Sequence, residues 1–254
     1  MKIRQIRNAT IIVEYAGKKF LVDPWLQDKG KGIIAPSPDP EKNKIQTPIV
    51  DLPCSVEEIL EGTDACIVTH IHPDHFTEEY IPKEMMIIVQ NREDEEKLKN
   101  IGFLNINVFN DNRMIIGDIS LTKAEGRHGE NEQVAVMMGD VCGIVFEHSS
   151  EEKLYIVGDS VWYEGIEKNL TDHKPDCVVL NACDARIEGL GRLIMNKEDV
   201  LAVYKAIPTA KVIISHMDTV NHAFLSRKEL KSYLAENGMI DRVLIPDDGE
   251  SYVF

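Results

Sequence analysis

The stretch Asp64-Ala65-Cys66-Ile67-Val68-Thr69-His70-Ile71-His72-Pro73-Asp74-His75 constrains this chain most. Its first half, Ala65 to Val68, is a short apolar run with β-branched residues, bounded by Gly62 and Asp64 before it and Pro73 after it. That pattern predicts a strand in a sheet covered on both faces. The strand ends at the histidines, so three imidazoles and a carboxylate fall in one six-residue loop. Packing gives no reason for such a cluster, whereas metal binding does. Imidazole nitrogen and carboxylate oxygen are ligands of zinc and similar divalent ions, converging to about 2.0–2.2 Å from the metal. The plainer alternative is a histidine-rich surface loop, but four ligand-type residues at one strand end is a denser pattern than that explains.

Around this stretch the chain alternates short apolar runs with turns and helical spacings. Residues 2–23 predict three strands, with Thr10 to Tyr15 turning at Ala16-Gly17-Lys18 into Lys19 to Asp23. Asp23, before Pro24-Trp25, is either an acceptor for a ligand histidine or a turn-starting residue. Residues 27–53 are rich in Gly, Pro, Lys and Asp and longer than most connections; a lid, an interface arm and a surface excursion are all open to them. Ser55-Val56-Glu57-Glu58 predicts a capping box for a short helix toward Leu60, and Thr77 a turn cap. Met86 to Val89 is the next strand, and residues 92–100 pair Glu93 with Lys97 and Glu95 with Lys99 on a solvated helix face.

Short strands are then expected over Ile106 to Phe109, Arg113 to Ile116, Ile119 to Ala124, Val134 to Met138 and Gly143 to Glu147. His128 stands between Gly126-Arg127 and Gly129, glycines that let the backbone approach something closely. Lys153 to Val157 leads into Gly158-Asp159-Ser160, a helix covers roughly 162–170, and Cys177 to Asn181 is a strand. A helix capped at Asn196 precedes the strand Lys211 to Ser215, which ends at His216. A helix capped by Ser226 stops at Gly238, and Arg242 to Ile245 is a late strand. This two-half rhythm of strands followed by strand-helix units predicts two sheets packed inside with helices outside.

Composition narrows the function classes. The 254 residues suffice for a full core in one domain, 1–254. A net charge of −15 disfavours a nucleic-acid partner. The opening Met1 to Arg7 has no continuous apolar core and no stretch approaches a membrane span, so no membrane association and a cytoplasmic location are expected. The five cysteines, Cys54, Cys66, Cys142, Cys177 and Cys183, are odd in number and lack Cys-x-x-Cys spacing, which argues against a disulfide framework or a thiolate zinc site.

Four strand ends carry ligand-type side chains: His70, His72, Asp74 and His75 on the first, then His128, Asp159 and His216. In α/β sheets, sites assemble outside the carboxyl ends of strands, so these separated residues can meet in one cleft. Their order, His-x-His-x-Asp-His, lone His, Gly-Asp-Ser, lone His after an apolar strand, resembles the metallo-β-lactamase superfamily of metal-dependent hydrolases over nearly the whole chain. The opening strands ending in Asp23-Pro24-Trp25 are more loosely similar to the branch containing ascorbate-6-phosphate lactonase.

The resemblance implies a four-layer αββα sandwich of the α/β class. It also implies two divalent metal ions, zinc first, with manganese or iron as alternatives. One would be held by His70, His72 and His128, the other by Asp74, His75 and His216, with Asp159 bridging. Two such ions about 3.5–4 Å apart share a water, lower its pKa and leave a hydroxide aimed at a carbonyl or phosphoryl centre. With a single metal, Asp74 would be free to act as general base. His222 is either an exposed loop histidine or a group that hydrogen-bonds to substrate or protonates a leaving group.

Arg127, and Asp184 with Arg186, are candidates for an anionic substrate, although an Asp184–Arg186 salt bridge explains that pair equally well. The expected activity is hydrolysis of a lactone, ester, amide or phosphoester of a small molecule. An iron-dependent redox protein acting on oxygen or persulfide, a metal-dependent nuclease and a non-catalytic metal-binding protein are the alternatives. Self-association into a homo-oligomer is left open.

Overall fold

The structure, a computed structural model, describes residues 1–109 and 111–254. The chain opens with a meander of β1 (Lys2–Arg7), β2 (Thr10–Tyr15) and β3 (Lys18–Val22). There follow α1 (Val56–Leu60), β4 (Ala65–Val68), β5 (Ile87–Val89), α2 (Arg92–Asn100) and β6 (Ile106–Val108). The middle of the chain forms β7 (Arg113–Ile116), β8 (Ile119–Glu125), α3 (Glu132–Met138), β9 (Cys142–Glu147) and β10 (Leu154–Ile156). Then come α4 (Glu164–His173), β11 (Cys177–Asn181) and the short pair β12 (Arg186–Ile187) and β13 (Gly191–Arg192). The chain closes with α5 (Lys197–Ala206), β14 (Lys211–Ser215), α6 (Arg227–Glu236), β15 (Val243–Leu244) and β16 (Ser251–Val253).

Two seven-stranded mixed sheets result, one ordered β16-β1-β2-β3-β4-β5-β6 and the other β15-β14-β11-β10-β9-β8-β7. Strand alternation divides the apolar side chains between layers. Ala65 and Ile67 of β4 face the space between the sheets with Cys177 and Val179 of β11, and there they meet Phe20, Phe146 and Ile213. The ring of Phe146 packs 5.3 Å from Phe20 and 5.5 Å from Tyr15, which ties the two sheets together. Cys66 and Val68 face outward onto Ile59 of α1 and Leu98 of α2. Val178 and Leu180 face outward onto Ile166 and Leu170 of α4, Val200 of α5 and Leu230 of α6. Helix, sheet, sheet, helix is the four-layer α/β sandwich, and a central strand such as β4 is apolar and buried along its whole length because both of its faces are covered.

Most expected elements fall where the sequence places them, and the exceptions have physical reasons. Val134 to Met138, expected as a strand, is the C-terminal part of α3. Asn131 accepts a hydrogen bond from Val134 N at 3.0 Å and starts the helix, while Gly139 at φ 85° ends it. Ser55 caps α1 through Glu58 N, but the Glu58 carboxylate turns away to Arg4 at 3.0 Å, so half of the capping box forms. Thr77 does not act as a cap: its buried hydroxyl has no partner among the described residues. On α2 the two expected ion pairs are present, yet Asp94, Glu95 and Leu98 are buried, so the helix is more than a solvated face. All five cysteines are free thiols.

Residues 27–53 form a strap with one short 3-10 turn, Lys42–Lys44. Its two arms pair through Gly32 N to Thr47 O at 2.6 Å and Thr47 N to Ile33 O at 3.0 Å. The buried Arg7 guanidinium holds both ends, donating to Gln27 O at 2.6 Å and Val50 O at 3.2 Å. Burial draws its pKa down to about 10, so it remains charged at neutral pH.

Candidate metal centre

The parallel run β3, β4, β5 of one sheet and β10, β11, β14 of the other end at the same edge of the sandwich, and β8, two antiparallel steps from β10, ends there too. Asp23 follows β3, His70 to His75 follow β4, His128 follows β8, Asp159 follows β10 and His216 follows β14. Seven expected ligands thus come together from four strand ends, with Asp23 beside them from a fifth. Among the described residues, three groups converge tightly enough to hold an ion, their donor atoms within 4.8 Å of one another: His70 with His72 and His128, His70 with His75 and Asp159, and Asp74 with His75 and His216. All of these side chains are buried except His72, which is partly exposed.

Asp159 occupies the centre. Its Oδ1 accepts from Asn181 Nδ2 at 2.7 Å, which turns Oδ2 toward the histidines. Oδ2 lies 3.2 Å from His75 Nε2, 3.6 Å from His128 Nε2 and 4.0 Å from His216 Nε2. His75 Nε2 makes no hydrogen bond among the described residues despite that proximity. Atoms that crowd together without bonding one another are aimed at a common point, which is the arrangement that ligands of a cation adopt. His70 Nε2 and His72 Nδ1 also face each other at 3.0 Å, within hydrogen-bond distance when one of them carries the proton.

The far side of each ring is anchored, which fixes its orientation. His75 Nδ1 donates to Asp23 Oδ2 at 3.0 Å, and Asp23 also accepts from Thr69 N and Thr69 Oγ1, each at 2.8 Å. Asp23 is therefore the acceptor for His75, one of the expected ligands, and, at φ 46°, also the turn residue. His128 Nδ1 meets Leu193 O at 3.1 Å, His72 Nε2 meets Met138 O at 3.0 Å, and His70 Nδ1 meets Thr69 Oγ1 at 3.1 Å. His216 Nδ1 lies 3.4 Å from Cys183 Sγ, while its Nε2 is 3.3 Å from Asp74 Oδ2. Asn8 Nδ2 donates to Asp74 O at 2.9 Å and sits 3.2 Å from His216 Nε2. Asp23, Asp184, His216 and Asp218 all hold positive φ, so left-handed backbone gathers at this edge.

Charge is shared unevenly among the buried groups. Burial holds His128 down to about 4 and, with the neighbouring histidines, holds His70 well below its ordinary value. Burial also opposes charge on His75, but Asp159 and Asp23 outweigh it and lift that ring to about 10. His216 is raised well above its ordinary value: burial is outweighed by Cys183, Asp159 and Asp74. Burial disfavours the charged carboxylates of Asp74 and Asp159 too, and the facing histidines hold both well below the usual range. The raised His75 and His216 thus offset these carboxylates, a role that a pair of dications would also fill.

Of the other candidates, Asp184 and Arg186 form a bidentate salt bridge at 3.0 and 2.6 Å. Arg127 stacks over the Tyr163 ring at 4.4 Å. His222 is 8% exposed, so it is a buried residue and not an exposed loop histidine. Sequence reasoning missed Asn181 and Asn8. The first was discoverable, as the one polar residue closing the apolar strand β11. Asn8 lies between two strands with no pattern to distinguish it, and the carbonyls of Met138 and Leu193 carry no residue-specific signal at all.

Residues 18–217 match the family model described as Beta-lactamase superfamily domain. The chain is 47% identical over 257 residues to the UPF0173 protein YddR of Bacillus subtilis (strain 168), covering 100% of both. The solved structure of isothiocyanate hydrolase from Delia radicum gut bacteria matches with a TM-score of 0.93 at 40% identity, covering 100% of this chain and 99% of that one. A possible metal-dependent hydrolase from Veillonella parvula DSM 2008 matches with a TM-score of 0.92 at 33% identity, covering 100% and 99%.

Proposed function

The chain belongs to the β-lactamase superfamily, and from that premise we propose a metal-dependent hydrolase that adds water to the electrophilic carbon of a small molecule at a two-metal centre. The observation that carries this reading is the position of Asp159 Oδ2 among the inward nitrogens of His75, His128 and His216. His70, His72 and His128 would hold one ion, Asp74, His75 and His216 the other, with Asp159 between them. The donors are nitrogen and oxygen, which suit zinc first and manganese or iron as well. Such a pair supplies Lewis-acid polarisation of the substrate and acidifies water toward neutral pH.

The chain's own residues do the rest. Asp23, Leu193 O and Met138 O fix the ring orientations, so the donor set is preorganised. Asn181 keeps Asp159 from rotating. Near-complete burial keeps bulk water away, which strengthens every charge interaction inside. Were only the first position filled, Asp74 would be free to accept a proton.

The match at 40% identity to an isothiocyanate hydrolase supports isothiocyanates as the first substrate class, ahead of lactones, esters, amides and phosphoesters. Their central carbon, flanked by nitrogen and sulfur, is a small uncharged electrophile. The test is elemental analysis of purified protein together with a hydrolysis screen across isothiocyanates, lactones, thioesters and phosphodiesters. Two zinc or manganese ions per chain, lost together with turnover in His70→Ala and His128→Ala, are expected. Metal content unchanged in both variants would sink the reading. Iron with an oxygen-responsive visible absorbance would replace it with redox chemistry.

A further inference from the structure

The ligand imidazoles have polar neighbours at both ring nitrogens, as described above, but His222 differs. Its ring is buried, and its Nδ1 has no hydrogen-bond partner among the described residues. A buried nitrogen left unmet is destabilising, so its retention calls for a partner that the polypeptide does not supply.

The position of His222 is not incidental. The preceding residue, Asn221, donates to Ala35 O at 2.8 Å and to Lys42 O at 3.1 Å, and accepts from Ala35 N at 3.2 Å, so the strap is bolted to this loop. His222 O accepts from Arg186 N at 3.0 Å, and Lys42 Nζ donates to Ala223 O. Lys42 and Arg186 both stand over the Phe224 ring, at 4.0 and 5.3 Å. A loop clamped from two sides holds the ring still. Phe224 N and Leu225 N both donate to Cys183 O at 2.9 Å, and Cys183 Sγ lies 3.4 Å from His216 Nδ1, which holds this loop beside the second ligand group. Burial holds the imidazole down to about 4, so it is neutral at physiological pH, with one nitrogen a donor and the other an acceptor.

We propose that His222 is a catalytic residue that contacts the substrate and passes the proton to its departing nitrogen. The proposal rests on the hydrolase reading above and sharpens its chemistry. In isothiocyanate hydrolysis the water oxygen bonds to the central carbon and a proton reaches nitrogen, giving R–NH–C(=S)–OH. The remaining hydroxyl proton then reaches nitrogen as the C–N bond breaks, releasing R–NH2 and O=C=S. Both steps deliver a proton to nitrogen, and a neutral imidazole can take a proton at one nitrogen while giving one from the other.

The test compares benzyl isothiocyanate, which releases a basic amine, with 4-nitrophenyl isothiocyanate, which releases a weakly basic one, on zinc-loaded protein. His222→Ala and His222→Asn are expected to lose about 10²-fold or more in kcat on the benzyl substrate and less than about 5-fold on the nitrophenyl one. Both variants should keep the wild-type metal content, and His222→Asn, which retains a polar group near Nδ1, reports on folding. Equal losses on the two substrates, no loss on either, or loss of metal would overturn the role of His222 while leaving the hydrolase reading intact. A wild-type protein inert to both substrates would overturn the substrate class and this role together.

Discussion

Asp23 shows what a single buried carboxylate contributes to this site. It has no contact with the expected ion position, yet it accepts from His75 Nδ1, Thr69 N and Thr69 Oγ1 at once and so fixes both the ring of His75 and the start of the loop that holds His70. Asp23→Asn removes the charge and leaves one acceptor oxygen. The expected outcome is a roughly 10–100-fold loss of affinity at the position held by Asp74, His75 and His216, with the other position unchanged, as read by chelator competition. Equal weakening of both positions would mean that Asp23 serves the fold and not the ligand. Asp23 illustrates what was legible. Its type and its place at a strand end were visible, and only the coordinates could decide between turn and acceptor, because a left-handed aspartate at φ 46° does both. The seven candidate ligands were plainer, since imidazoles and carboxylates at the ends of apolar strands have no packing role. Their anchors were hidden wherever the acceptor is a backbone carbonyl.

At the scale of elements, the misread segment is instructive. Val134 to Met138 is short and apolar, and a run of that length fits a strand or a helix equally. Asn131 and Gly139, a cap and a stop, were the signals that should have decided it. As a helix it buries only Val134 and exposes Val136 and Met137, while the carbonyl of Met138 holds His72. The strand endings depend as closely on backbone detail. Gly158, between β10 and Asp159, has φ +71°, and a Cβ there would stand 2.6 Å from Cys142 O on the neighbouring strand. Gly17 has a similar φ of +76° with nothing within 4 Å, so it isolates the conformational cost. Gly17→Ala is expected to cost about 1–2 kcal/mol from the left-handed backbone alone. Gly158→Ala should cost clearly more and also lower metal content, because relief of the clash must displace Asp159. Urea unfolding with metal analysis of the two variants checks this, and a Gly158→Ala as mild as Gly17→Ala would refute it.

Across the whole molecule, each sheet runs through three antiparallel pairings and then three parallel ones, so the two halves repeat one plan. That repeat was visible in the sequence. The return of β16 to pair with β1 was not, because a three-residue edge strand with an exposed, part-buried, exposed pattern gives too weak a signal. The plan has a consequence for stability. His70, His72, Asp74 and His75 hang from one sheet, whereas His128, Asp159 and His216 hang from the other. Ions held as proposed therefore staple the sheets across their upper edge, and their binding energy adds to that of folding. At free metal about 100 times its dissociation constant the gain is about 2.7 kcal/mol. In a chain of this size that corresponds to roughly 5–11 °C in Tm, taking about 2–4 °C per kcal/mol. The gain should also depend on pH with a definite sign. His75 is lifted to about 10 and His216 is raised as well, so both carry protons in the metal-free protein between pH 6 and 8, and an incoming cation must displace them. Each proton displaced makes affinity rise about tenfold per pH unit. The Tm difference between zinc-loaded and chelated protein should accordingly widen from pH 6 to pH 8, as followed by calorimetry at fixed free zinc. A difference that stays constant or narrows over that range would mean that these histidines are already neutral before the metal arrives.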